Sequence, residues 1–191
     1  MLKKLLKYDL KYVYKLLFVF YALSLSFAVL TRVFLNINDS FIMNIIGNIC
    51  SSVTIAMIFN ILINNIIKLW VRFSRNFYGD ESYLTHTLPV EKKTLYLSKT
   101  LASIITLLSS AAVIGISLFI AYYSKENIEF VKGLLLPLAD VYDSTILSIL
   151  ISFLLIFFLE WMNLLQAGYS GIILGYRRNN SKMGYSVLYG Y

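Results

Sequence analysis

Apolar residues dominate four long stretches of this 191-residue chain, at 16–35, 41–67, 100–124 and 144–176. Together these stretches hold two formally charged residues, Arg32 and Glu160. A helix needs about 20 predominantly apolar residues to cross a hydrocarbon core of roughly 30 Å, and each stretch reaches that length. The pattern predicts an all-α fold: a polytopic integral membrane helical bundle with four transmembrane helices, forming a single membrane domain over 1–191. A different periodicity precedes the first span. Leu2, Leu5, Leu6, Leu10, Val13 and Leu17 recur at spacings of three and four, and Lys4, Lys7, Lys11 and Lys15 recur likewise on the opposite face. At about 100° per residue the two sets lie nearly across a helix from each other. Residues 1–15 are therefore expected to form an amphipathic helix in the interface plane, its lysines at anionic lipid headgroups. The alternative is that the lysines only stop translocation. At the far end, GYSVLYGY (184–191) turns apolar again after Arg177, Arg178 and Lys182 and reads as the opening of an incomplete, truncated fifth span.

The spans differ in their polar content. The second has no charge but many amides: Asn44, Asn48, Asn60, Asn64 and Asn65. Asn44 with Asn48 and Asn60 with Asn64 are i,i+4 pairs that share a helix face. Amides in hydrocarbon need partners, so they either bond a neighbouring helix or line a wet path. Ser103, Ser109, Ser110, Ala111, Ala112 and Gly115 suit the third span to close helix packing. The fourth stretch, at about 1.5 Å per residue, would run roughly 50 Å. It must tilt, continue past the core, or break near Gly168 and Gly171. Glu160 in its middle is either a functional group, the default for an ionisable residue in a span, or a structural hydrogen-bonded contact. Between spans three and four an apolar run, 134–138 around Pro137, is too short to cross and is expected on the outer leaflet.

Charge sets the orientation. Lys and Arg accumulate on the cytoplasmic side of short loops. Counting the N-terminal segment, the three loops and the tail, their number runs five, zero, six, two, three. This places the N-terminus, the loop 68–99 and the tail in the cytoplasm, with Arg32 near the outer end of the first span, free to snorkel. The net charge of +7 does not indicate nucleic acid, because the cations flank apolar spans and form no soluble basic face. With 59% hydrophobic and 14% charged residues, the chain lies far from the soluble average of about 25% charged. Cys50 is the single cysteine, so no disulfide forms within the chain, and its apolar setting makes it a packing residue. The N-terminal apolar run exceeds a signal-peptide core and lacks a small-residue cleavage site, so it reads as a retained span.

Catalytic patterns are missing. There is no GxxxxGK[ST] loop and no HExxH; His86 is the single histidine, and Asp80 and Glu81 are adjacent, not held on facing elements. No metal, cofactor or enzymatic role is expected. The informative segment is the cytoplasmic loop 76–99. Gly79 breaks the preceding helix, Asp80 is placed to cap a new one with Glu81 in its first turn, and Pro89 ends it. That leaves about two turns, 80–88, with Tyr83, Leu84 and Leu88 bearing an apolar patch. Such a helix either docks into a groove on another protein or lies on the membrane surface.

The stretch GDESYLTHTLPVEKKTLYLSK resembles the cytoplasmic loop of a bacterial branch of the type-2 ABC exporter permeases, which carry a YGDEGYLTxTLPV-like motif followed by a Ser-Lys pair. Gly79, Asp80, Glu81, Tyr83, Leu84, Thr85, Thr87, Leu88, Pro89, Val90, Ser98 and Lys99 match it, and Ser82 stands where glycine is common. LLKYDLKYVYKLL resembles the family's membrane-surface helix and LLQAGYSGIILG its fourth-span exit, so the resemblance covers nearly the whole chain. It implies a six-span fold, a dimer of permease subunits and an ABC-type ATPase on a separate or fused chain. It also implies that 80–88 is the coupling helix, with Gly79, Asp80, Glu81, Tyr83, Leu84, Thr85, Leu88 and Pro89 as the ATPase-coupling residues. The expectation is thus a permease subunit of an ATP-driven exporter in the bacterial cytoplasmic membrane, N-terminus inside. This sequence carries about four of the six spans, so it is expected to need further helices from a second permease subunit for transport. The rival expectations are a non-transporting membrane scaffold or immunity-type protein, and a truncated permease without function.

Overall fold

The computed structural model describes residues 2–37, 41–87, 89–177, 185, 186, 189 and 190. Its elements are α1 (Leu2–Leu35), α2 (Phe41–Tyr78), α3 (Ser82–Thr87), α4 (Lys92–Tyr122), α5 (Lys125–Val141) and α6 (Ile146–Gly175), with no strand among the described residues. Helices α1, α2, α4 and α6 are long and apolar enough to cross a membrane, and the chain is a multi-pass, all-helical membrane protein. The shortest of the four, α6, has 30 residues and runs about 45 Å, beyond the roughly 30 Å of a bilayer core. The polar flanks of the apolar stretches are therefore helical too, since a helix already nucleated extends at little further cost.

Contacts divide the chain into two units. The first comprises Met1–Phe20, Asn60–Ser110 and Trp161–Tyr191; the second comprises Tyr21–Phe59 and Ala111–Glu160. Each long helix contributes to both. Buried positions recur every three or four residues, which gives each helix one inward seam. On α1 these are Asp9, Val13, Leu17, Tyr21, Ser24, Ala28 and Thr31; on α4 they include Leu95, Lys99, Ala102, Thr106, Ser110, Ser117 and Ala121. Small and hydroxyl-bearing residues fill much of both seams, as close packing of membrane helices requires.

Several expectations change at this level. No break separates the amphipathic segment 1–15 from the first span; both belong to α1. Lys4, Lys7, Lys11 and Lys15 are exposed along one side, while Val13 and Leu17 on the other are fully buried against protein. The loop 125–143, whose apolar run 134–138 is expected on the outer leaflet, carries the helix α5 over Lys125–Val141. Pro137 lies inside it and withholds a donor from the carbonyl of Gly133, yet the surrounding turns hold. The α5 helix closes with Ser144 N–H on the Ala139 carbonyl at 3.0 Å and Asp143 at φ 46°, a left-handed C-terminal cap of the kind Asp tolerates. Helix α6 does not break at Gly168 or Gly171. There the missing side chains admit neighbours instead: a Cβ on Gly168 would fall within the Trp70 ring, and one on Gly171 against the Ser186 carbonyl and Gly190. Of the expected fifth-span segment, 184, 187, 188 and 191 lie outside the described residues, and Tyr185 and Ser186 are helical.

Candidate functional site: a clamped cytoplasmic helix

The site is assembled within the first unit, around α3. Helix α2 ends at Tyr78, and Gly79 N–H turns back onto the carbonyls of Ser74 at 3.0 Å and Arg75 at 3.2 Å. A side chain at 79 would press on the Arg75 backbone, its Cβ only 2.9 Å from Cα, so glycine is what allows the chain to fold this closely past α2. The next helix starts later than expected. Its first bond runs from Thr85 N–H to the Glu81 carbonyl at 3.0 Å, joined by the Thr85 hydroxyl at 3.0 Å on the same oxygen. Glu81, not Asp80, therefore occupies the cap position, and Asp80 is exposed in the turn. The reason is that the Glu81 carboxylate is drawn elsewhere.

It accepts a hydrogen bond from Arg72 Nη1 at 2.8 Å. The same guanidinium donates through Nε to Asp9 Oδ1 at 3.1 Å and lies over the Tyr12 ring, 4.8 Å from its centroid, with Lys68 5.8 Å from that ring. Asp9, 3% exposed, also accepts from Ser98 Oγ at 3.1 Å and from Lys99 Nζ at 2.5 Å. The Ser-Lys pair of the loop motif thus closes on a carboxylate from the first helix. Two cations and two carboxylates share the cluster, so its formal charge balances only when Glu81 is included. Charged hydrogen bonds of this kind are among the stronger ones, and an unpaired charge at such depth is strongly unfavourable.

Aromatic rings of α2, α4 and α6 pack together near α3, which meets them through His86. Phe73 stacks on Tyr169 at 4.3 Å, packs on Phe77 at 4.7 Å and meets Tyr96 edge-on at 6.3 Å. Tyr78 stacks on Tyr176 at 4.5 Å, and Trp70 Nε1 donates to the Leu165 carbonyl at 3.2 Å. His86 places Nε2 3.3 Å from the Phe77 carbonyl and its ring against Phe77. A cleft of about 360 Å³ remains between these rings, lined by Phe73, Phe77, Tyr78, His86, Lys92 and Tyr96 among others. Thr85, on the inner side of α3, is buried, whereas Tyr83 and Leu84 are 77% and 67% exposed. The helix is fixed on its inner side and bare on its outer one.

Of the loop residues singled out by sequence, Gly79, Glu81 and Thr85 anchor the helix, Tyr83 and Leu84 form its free edge, and Asp80 and Pro89 are exposed. Leu88 lies outside the described residues. The amides Asn44, Asn48, Asn60 and Asn64 divide between the two units. Asn44 and Asn48 belong to the second unit, Asn60 and Asn64 to the first. Asn44, Asn48 and Asn60 are exposed, and Asn64 donates to the Asn60 carbonyl at 2.9 Å on its own helix. Asn65 beside them is buried, and its Nδ2 donates to Ser110 Oγ at 3.0 Å. Glu160 is exposed on α6. Arg32 does not simply snorkel, since its guanidinium donates to the Tyr123 carbonyl just past α4, where a cation meets the negative end of the helix. No group of three or more His, Cys, Asp or Glu able to hold a metal occurs among the described residues.

Asp9 and Arg72 are the residues that sequence reasoning passed over. The signal for Asp9 was present: it is a lone carboxylate in a lysine-rich helix and sits with Leu2, Leu5, Leu6 and Val13 on the apolar face. An acid there must bury against a cation, and Arg72 and Lys99 supply two. Comparison of the chain with protein-family models, curated proteins and solved structures found no match.

Proposed function

We propose that this chain is the membrane-spanning permease subunit of an ATP-driven, ABC-type exporter in a bacterial cytoplasmic membrane, with its N-terminus inside, and that α3 is the helix on which the ATPase docks. The observation that carries this reading is the asymmetry of α3. Its inner side is pinned by Glu81, Thr85 and His86, and its outer side presents Tyr83 and Leu84 to solvent. An apolar pair held rigidly in a cation-rich loop suits a groove on a partner. The loop motif and the lysine and arginine alternation support the same reading. Hydrolysis on the partner would move α3, and the long helices that carry it would exchange inward- and outward-open arrangements. The chain itself performs no covalent chemistry. Lys4, Lys7, Lys11 and Lys15 rest at anionic headgroups. The apolar side chains on the first half of α6, Phe153 and Leu154 among them, are exposed and pair with a second permease subunit.

The test is co-purification with a candidate ABC-type ATPase co-expressed with the chain. Leu84→Asp places a charge in the docked patch and should abolish co-purification while membrane insertion is kept. Undiminished co-purification overturns the docking role. Docking without ATP-dependent export on reconstitution would leave a scaffold in place of a transporter.

A further inference from the structure

Arg72 lies outside the loop that presents α3, yet it touches both the loop and the buried core of the first unit. Its Nε is bound to Asp9, which is buried and already holds Lys99 and Ser98. Its Nη1 is bound to Glu81, whose side chain is 39% exposed and whose carbonyl starts α3. Tyr12 covers the guanidinium face. The guanidinium meets the two carboxylates from separate edges, through Nε and Nη1; a lysine carries its three donors on a single nitrogen and cannot reproduce that spacing. The charges make the arrangement directional. Asp9 alone faces two cations, so without Glu81 the cluster carries a net positive charge at a depth where water compensates it poorly. Glu81 is the one member near solvent, and it is the member that can leave.

We propose that Arg72 is the positioning residue of α3. Anchored on Asp9, it draws Glu81 inward, sets the cap of the helix and so fixes the orientation in which Tyr83 and Leu84 are presented. The Arg72–Glu81 bond is the separable contact: when α3 is displaced, Glu81 releases, and the charge imbalance left on Asp9, Arg72 and Lys99 is felt directly by α1 and α4. Position of the loop and packing of the long helices are thereby linked through one side chain. This deepens the docking reading, but it concerns the chain alone, so its test stands or falls independently of any ATPase.

The experiment is hydrogen–deuterium exchange with mass spectrometry on the full chain in lipid nanodiscs, following peptides over 79–87. Glu81→Gln removes the separable charge while keeping size. Exchange in that peptide should rise roughly fivefold, the effect of losing one partly exposed ion pair, with a smaller rise in the α4 peptide that holds Lys99 and none in α5, which carries no member of the cluster. Arg72→Lys keeps the charge but loses the fork and should produce the same rise. The double variant should exchange no faster than either single one, because both break the same contact. Glu91→Gln, an exposed carboxylate in the same loop, should leave exchange unchanged. Wild-type exchange in Glu81→Gln, multiplied effects in the double variant, or an equal rise in Glu91→Gln would each overturn the proposal.

Discussion

The two units of this chain draw on the same four long helices but cohere by different chemistry. In Met1–Phe20, Asn60–Ser110 and Trp161–Tyr191, three ion pairs converge on Asp9 and Arg72, and stacked rings of Phe73, Phe77, Tyr78, Tyr169 and Tyr176 fill the space beside them. In Tyr21–Phe59 and Ala111–Glu160, the buried side-chain contacts between helices among the described residues pair hydroxyls, and the cation Arg32 binds the Tyr123 carbonyl. Ser24 Oγ donates to Ser117 Oγ at 3.0 Å, Thr31 and Thr54 pair at 3.1 Å, and Ser51 and Tyr122 pair at 2.6 Å. Gly47 lets Leu35 approach α2 closely. The first half of α6 has no residue of its apolar window buried. A hydroxyl pair satisfies itself without a net charge and tolerates hydrocarbon around it, whereas a carboxylate requires cations and the nearby polar medium that a lysine-flanked helix end provides. The charged cluster of the first unit therefore needs a polar medium nearby, whereas the hydroxyl pairs of the second tolerate lipid.

The comparison breaks most completely if the orientation inferred from charge is reversed. In a Cys50→Ser background, Asn127→Cys should react with an impermeant maleimide on intact cells, and Lys93→Cys only after permeabilisation; both positions are exposed. Labelling of Lys93→Cys from outside would place the ionic unit on the wrong side for an ATPase.

The next largest effect is on stability. Asp9→Asn leaves Arg72 and Lys99 without their shared carboxylate and should cost about 3–5 kcal/mol, the usual consequence of stranding a buried charge. Denaturant unfolding in detergent reads it. Adding Lys99→Met should recover part of the loss by removing one stranded cation. A cost below about 1 kcal/mol would mean that the cluster is solvated as an exposed pair would be. The second unit should respond more weakly. Ser24→Ala removes one neutral bond and should cost about 0.6 kcal/mol, typical of hydrogen bonds between membrane helices, and Ser24→Ala with Ser117→Ala should cost scarcely more. A loss as large as that of Asp9→Asn would erase the distinction between the units.

How much of this was readable in the chain varies by element. The four spans were, because length and hydropathy decide membrane insertion locally. Helix α3 was nearly so, through Gly79 and Pro89, but its start was misplaced. Asp80 is a good cap by type, and only Arg72, seven positions upstream of Gly79 and on another helix, reveals why Glu81 takes that position. The α5 helix was not assigned, because by spanning length 134–138 reads only as a run too short to cross. The amides show the same limit: the five asparagines of the apolar stretch 41–67 are equivalent by composition, and among those five burial singles out Asn65, which Ser110 of α4 faces.

The sequence by itself determined the class of this protein: all-helical, multi-pass, with cations on alternate flanks and a short helix interrupting the largest charged loop. Those properties depend on single segments and their solvent, and a segment carries that information alone. Which acid meets which cation, which side of α3 is free, and which glycine yields to Trp70 depend on side chains brought together from positions such as 9, 72, 81 and 99. Contacts of that range are selected by mutual packing and charge balance, and only the tertiary structure decides them.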